Sequence, residues 1–169
     1  MVSERVIREY CPHLQRSVSI KNDMLAMREL RNIYKKHRPD VVHLHSSKAG
    51  TLGRLIFPTK RVVYTVHGFD SVRIAFRKFL PIERILQHLC SAIVGVSNYD
   101  QRHLLEEGIV SNVSTIYNGI VQPDTASMTH IPEFGKYEKM VLTIARINAQ
   151  KKPDLFIDVA RRLPQYGFI

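Results

Sequence analysis

The sequence predicts an α/β fold, a parallel sheet with flanking helices followed by the beginning of a second unit of the same kind. Short apolar runs alternate with helical patterns along the 169 residues. The runs are rich in β-branched residues and mostly lack polar alternation, as strands buried on both faces do. Caps and breakers fall between them, where an alternation of strands and helices needs them.

Asn22 or Asp23 reads as the N-cap of a first helix. Its apolar positions Ala26, Met27, Leu30, Ile33 and Tyr34 share one face, and Pro39 ends it. Residues 41–44 are the first strand, and residues 49–57 a helix stopped by Pro58. Residues 61–66 are the second strand. Pro81 then sits where a first-turn proline belongs, ahead of Ile82, Ile85, Leu86 and Leu89. Residues 92–96 are the third strand. Ser97 with Asp100 resembles a capping box, opening a helix that Gly108 closes. Residues 113–117 are the fourth strand. Residues 120–136 carry Pro123, Pro132 and Gly135 without periodicity and read as a linker. A fifth strand over 140–145 precedes a helix over 154–163, with Leu155, Phe156, Val159, Ala160 and Leu163 on one face. One such unit cannot cover its own apolar faces. The expected organisation is a first domain over 1–119, the linker, and the truncated start of a second domain over 137–169.

Composition narrows the function. Hydrophobic residues make up 44%, too many for a disordered chain. No run approaches the ~18 apolar residues of a membrane span. The first ten residues are charged and lack the apolar core of a secretory signal. Cys11 and Cys90 are far apart, which argues against a disulfide scaffold or structural zinc and suits a reducing compartment. Lys and Arg number 25 against 15 Asp and Glu, a net charge of +10. An anionic partner follows: nucleic acid, a membrane surface or a phosphorylated ligand.

In open parallel sheets, ligands bind beyond the carboxyl ends of the strands. The unusual polar residues fall at those ends. His45, Ser46, Ser47, Lys48 and Gly50 follow the first strand; His67, Gly68, Phe69 and Asp70 the second; Ser97 and Asn98 the third; Asn118 and Gly119 the fourth. Arg146 and Lys151 follow the late strand. Each has a plainer alternative. His43 and His45 share one side of a strand, but His43 lies inside an apolar run and reads as a hydrogen-bonded core histidine. Residues 46–50 suit phosphate or sugar hydroxyls at a helix start, and equally a serine cap beside a solvated lysine. Gly68 permits close backbone approach. Ser97 is a cap first, and Asn118 a turn residue by default.

Arg73, Arg77, Lys78 and Arg84 are interleaved with Ile74, Phe76, Phe79 and Ile82. Such a stretch suits an anionic membrane surface, or a solvated helix face. Two rivals follow from these residues: a metal-dependent hydrolase using His43 and His45, and a basic membrane-binding module. The hydrolase needs further ligands that the sequence does not display. No helix-turn-helix, zinc-finger or RNA-binding pattern is present, so nucleic acid is not an expected partner.

Five elements together resemble a known family: R-P-D-V-V-H-L-H-S-S-K-A-G-T-L-G-R, V-V-Y-T-V-H-G-F, A-I-V-G-V-S, S-T-I-Y-N-G-I and L-T-I-A-R-I-N-A-Q-K-K-P-D-L-F-I. In this order they resemble the retaining GT-B glycosyltransferases of family 4, which build bacterial surface polysaccharides. The resemblance implies two Rossmann-like domains, with a nucleotide-sugar donor and a glycan or lipid-linked acceptor meeting between them. It places His67 near the transferring sugar as the catalytic position. His45, Ser46, Ser47, Lys48, Gly50, Gly68, Ser97 and Asn118 would line the acceptor side. Arg146 and Lys151 would grip the donor diphosphate, with no metal or other cofactor. Where the family usually has glycine after that lysine, Lys152 stands here. A glycine-rich first strand and a late Glu-x7-Glu element of the family are not found in the sequence. The resemblance therefore implies an internal fragment, inactive alone, from a cytoplasmic enzyme peripheral to the inner membrane face.

Overall fold

The computed structural model describes residues 6–15, 17–122, 135–147 and 151–169. They fall into two compact units, Met1–Gly119 and Ile120–Ile169. The first is ordered α1 (Ile20–His37), β1 (Val42–His45), α2 (Ser47–Ile56), β2 (Val62–Val66), α3 (Leu80–Leu86), β3 (Ala92–Gly95), α4 (Asn98–Glu106) and β4 (Val113–Thr115). Its sheet is parallel throughout, in the order β1-β2-β3-β4. Each strand thus lies beside its successor, and all carboxyl ends share one rim.

Leu44, Val62, Tyr64, Val66 and Ile93 turn to the packed side of the sheet, with Leu80, Leu104 and Ile109 over them. Helix α2 approaches closely because Gly50 and Gly53 face the strands. A Cβ at Gly53 would lie 2.6 Å from Leu44, and one at Gly50 would overlap the Tyr64 ring. Between the helices lies Arg54, 2% exposed. Its Nη2 donates to Glu83 Oε2 at 2.7 Å and its Nε to the Gly50 carbonyl at 2.9 Å. The guanidinium stands 4.3 Å from the Tyr64 ring centroid. Burial, with Glu83 nearby, pushes the Tyr64 phenol far above its ordinary range. One residue therefore ties α2 to α3 across β2.

Several sequence expectations change. The N-cap of α1 is Ser19, not Asn22 or Asp23. Ser19 accepts from the Asn22 amide while its own N–H donates to Asp23 Oδ2, so the expected cap residues serve inside the first turn. Arg38, left-handed at φ 45°, closes the helix ahead of Pro39. His43 is exposed rather than in the core, since Val42 and Leu44 take the inward positions of β1. It is nevertheless hydrogen-bonded, Nε2 lying 2.7 Å from Thr65 Oγ1. Residues 71–79 form a π-helical turn and a 3-10 turn before α3, not a continuous helix. Strand β4 ends at Thr115, leaving Ile116 and Tyr117 exposed.

In the second unit the late strand is only β5 (Met140–Val141), followed by α5 (Pro153–Arg162). A further strand, β6 (Gly167–Phe168), pairs parallel with β5 and was not legible in the sequence. Phe156 of α5 meets Phe168 edge-on, ring centroids 5.4 Å apart. Most of the expected linker, residues 123–134, lies outside the described residues.

The Arg54–Glu83 pair is expected to behave as a buried ion pair. Arg54→Met alone should destabilise the first unit by about 3–5 kcal/mol, and adding Glu83→Leu should restore most of that loss. Urea unfolding of the single and double variants measures both.

Candidate active site

Two neighbouring parallel strands deliver two histidines to the same rim. His45 is the last residue of β1, in register with Thr65 of β2, and His67 directly follows β2. His45 Nδ1 lies 2.8 Å from His67 Nε2. The two rings are stacked at 29°, with centroids 5.1 Å apart. The His43 ring stands 4.1 Å from that of His45. Desolvation, then the charges of His43 and His67, lower the His45 pKa and favour its neutral form. Both His45 and His67 are exposed.

The turn carrying His67 is fixed from beneath. Gly68 is left-handed at φ 86°, a conformation that a side chain disfavours even though the space around it is open. Phe69 is buried, and its N–H donates to Asp100 Oδ1 at 3.0 Å. Asp100 is itself 5% exposed. Its Oδ2 accepts from the Ser97 hydroxyl at 2.7 Å, while its N–H donates back to Ser97 Oγ. The first turn of α4 therefore clamps the loop after β2. Sequence reasoning found Asp100 as a cap partner but missed this reach. Asp70, the next loop residue, accepts from Arg73 and from the Tyr99 hydroxyl. The Arg73 hydrogen bond, foremost, holds its carboxyl below the usual range.

The residues expected on the acceptor side are mostly engaged in the fold. Ser46 caps α2 from an unusual φ of 75°. Ser47 hydrogen-bonds the Tyr64 side chain. Lys48 donates to the Ser17 carbonyl and pairs with Asp23 of α1, so it is not a solvated lysine. Gly50 is packing space for Tyr64. Ser97 acts through Asp100, and Asn118 is exposed beyond β4.

The expected membrane-facing cations also change character. Arg73 pairs with Asp70, Arg77 forks onto Glu107 at 2.7 and 3.1 Å, and Arg84 donates to the Glu107 carbonyl at 2.6 Å. Lys78 lies over the Phe79 ring. The arginines are thus partly neutralised, while Ile74, Phe76 and Ile85 beside them are exposed. No helix among the described residues is long and apolar enough to cross a membrane.

In the second unit, Arg146 and Lys151 line one hollow of ≈ 240 Å³ with Thr143, Ala145, Pro153 and Phe156. The turn into α5 passes through Lys152 at φ 45°, so the backbone keeps a left-handed shape that glycine would hold more easily. A wider hollow, ≈ 740 Å³, opens in the first unit at the amino ends of the strands, between Tyr34, Arg38, Asp40 and Arg61. None of the expected site residues reaches it. Among the described residues, no three His, Cys, Asp or Glu side chains are grouped to hold a metal ion, so the hydrolase pairing of His43 and His45 lacks its further ligands.

Residues 3–121 match Glycosyltransferase Family 4. The chain is similar to the UDP-Gal:alpha-D-GlcNAc-diphosphoundecaprenol alpha-1,3-galactosyltransferase of Escherichia coli, 27% identical over 95% of this chain and 46% of that protein. It is also similar to the O-antigen biosynthesis glycosyltransferase WbnH of Escherichia coli, 26% identical over 86% of this chain and 43% of that one. An uncharacterized 41.2 kDa protein in the cps region of Klebsiella pneumoniae is 28% identical over 75% of this chain and 40% of its own length. The chain spans less than half the length of each of these relatives.

Two substitutions test the local geometry. Asp100→Ala should raise amide exchange at Phe69 and cost about 1–3 kcal/mol by leaving buried donors unpaired, read by hydrogen exchange and denaturation. Lys152→Gly should stabilise the second unit by about 1 kcal/mol, because it removes a left-handed side-chain residue, read as a raised unfolding midpoint.

Proposed function

The chain belongs to glycosyltransferase family 4, and we propose that it serves in the retaining transfer of a sugar from a nucleotide-sugar to a glycan or lipid-linked glycan during polysaccharide biosynthesis. The family match over residues 3–121 carries this reading, and the relatives named for sugar transfer support it. The bond from the anomeric carbon to the diphosphate breaks, and one to an acceptor hydroxyl forms.

The chemistry needs a cationic partner for the leaving diphosphate, on which charge grows as the bond breaks. Arg146 and Lys151, brought to one hollow, supply it without a metal. His67 is the hydrogen-bonding group for the transferring sugar, held in place by Gly68 and the Phe69–Asp100 bond. The acceptor side is shaped more by packed backbone at residues 46–50 than by side chains reaching out, since Ser46, Ser47 and Lys48 are engaged. At the inner face of the membrane, Ile74, Phe76 and Lys78 would meet lipid, because the neighbouring arginines are held by Asp70 and Glu107.

Binding of uridine diphosphate to the 169-residue chain, followed by saturation-transfer NMR, tests the donor half of this reading. Arg146→Ala and Lys151→Ala should each weaken binding about tenfold to a hundredfold, as expected for a hydrogen bond to a charged group worth about 1.5–3 kcal/mol. Equal binding by wild type and the double variant would remove both residues from the donor site.

A further inference from the structure

Parallel pairing of β1 with β2 sets His45 against His67, and the 2.8 Å between His45 Nδ1 and His67 Nε2 has room for a single hydrogen. Two arrangements satisfy that distance in the neutral pair. Either His45 donates, and His67 carries its proton on Nδ1, or His67 donates, and its Nδ1 is a bare acceptor. In both, Nε2 of His67 is occupied and Nδ1 is the ring atom left to meet a ligand. One added proton goes to an outer nitrogen, and His67 then has an N–H at Nδ1 in every arrangement. A second added proton would set N–H against N–H across the same gap and break the contact.

We propose that His45 is the positioning residue of His67: it occupies Nε2, presents Nδ1 to an oxygen of the substrate, and lets the pair accept one added proton but not two. The proposal rests on the reading of His67 as the residue beside the transferring sugar. His45 is itself held between two rings, that of His43 at 4.1 Å and that of His67 at 5.1 Å. His43 is anchored in turn by Thr65 Oγ1. The titratable groups acting on His45 are His43 from its own strand and His67 from its neighbour, and both oppose its protonation, after desolvation. The nearby ions are turned elsewhere: Lys48 onto Asp23 and Ser17, and Asp70 onto Arg73 and Tyr99. The added proton is therefore managed among imidazoles, and a singly charged pair gives His67 a donor matched to a sugar hydroxyl or a phosphate oxygen.

Long-range imidazole nitrogen NMR of the 169-residue chain, followed through the histidine range, tests this. In the wild type, the nitrogen shifts should show His67 Nε2 hydrogen-bonded to His45 Nδ1, a contact kept on the first added proton and lost on a second. His45→Phe keeps a ring but no Nδ1, and His45→Ala removes both. In each, Nε2 of His67 should lose its hydrogen-bonding partner, and its nitrogen shift should move accordingly. His45→Asn, whose amide sits where Nδ1 was, should keep Nε2 of His67 hydrogen-bonded. Identical His67 nitrogen shifts in wild type, His45→Phe and His45→Ala would overturn the proposal. A coupled pair in a chain that binds no nucleotide-sugar would sustain the pairing and count against the transfer reading alone.

Discussion

The parallel register of β1 and β2 governs most of what the first unit does. Val42 opposite Val62 and Leu44 opposite Tyr64 fix which side of β1 is packed. Period-two alternation then forces His43 and His45 to the other side. A slip of one residue would bury both imidazoles and expose Leu44. The register is held by helix α2, whose Gly50 and Gly53 let its backbone settle on Tyr64 and Leu44. Arg54 then fastens that helix to α3 through Glu83. The buried guanidinium stabilises little by itself, because desolvation offsets much of its attraction. Its consequence is geometric: Arg54 joins α2 to Glu83 of α3 while its guanidinium stands over Tyr64 of β2.

The fold was legible where local chemistry and periodicity agreed. Val62 to Val66 is β-branched or aromatic almost throughout, and Pro81, Ser97 and Gly108 mark helix ends that the structure keeps. It was less legible where two adjacent residues could do the same work. Ser19 and Asp23 are both competent caps, and only the backbone shows that they cooperate. Strand β6 was hidden because two residues, one of them Gly167, carry almost no periodicity. At the site, the rim residues could be placed by counting from strand ends. The Asp100–Phe69 contact could not, since it joins residues 31 apart through a loop whose path the sequence does not encode locally. Lys48 shows the opposite failure: its residue type suggested a ligand, while a carboxylate on α1 had a prior hold on it.

The same lesson applies to the net charge of +10. Counted by composition, the cations of residues 73–84 form a positive surface. In space, Glu107 receives both Arg77 and Arg84, and Asp70 receives Arg73. The Arg77 hydrogen bond keeps the Glu107 carboxyl below its usual range, so the pairing persists into mildly acidic solution. Exposed pairs of this kind add little to stability. They do dampen the long-range field of the stretch, leaving its exposed isoleucines and Phe76 as its more distinctive property.

Backbone strain marks positions where conformation takes precedence over residue type. Ser46 and Lys152 adopt positive φ with side chains attached, each immediately before the first residue of a helix. Such conformations persist when the surrounding structure over-determines them. At Ser46 the determinant is visible, because the residue must end β1, cap α2 and leave His45 at the rim. At Lys152 the following proline fixes the entry into α5, and the lysine accommodates a turn shape that the family resemblance associates with glycine. The two units therefore share one device, a left-handed residue immediately before a helix. Beside each stand residues to which the transfer chemistry has been ascribed, Ser47 and Lys48 in the first unit and Lys151 in the second.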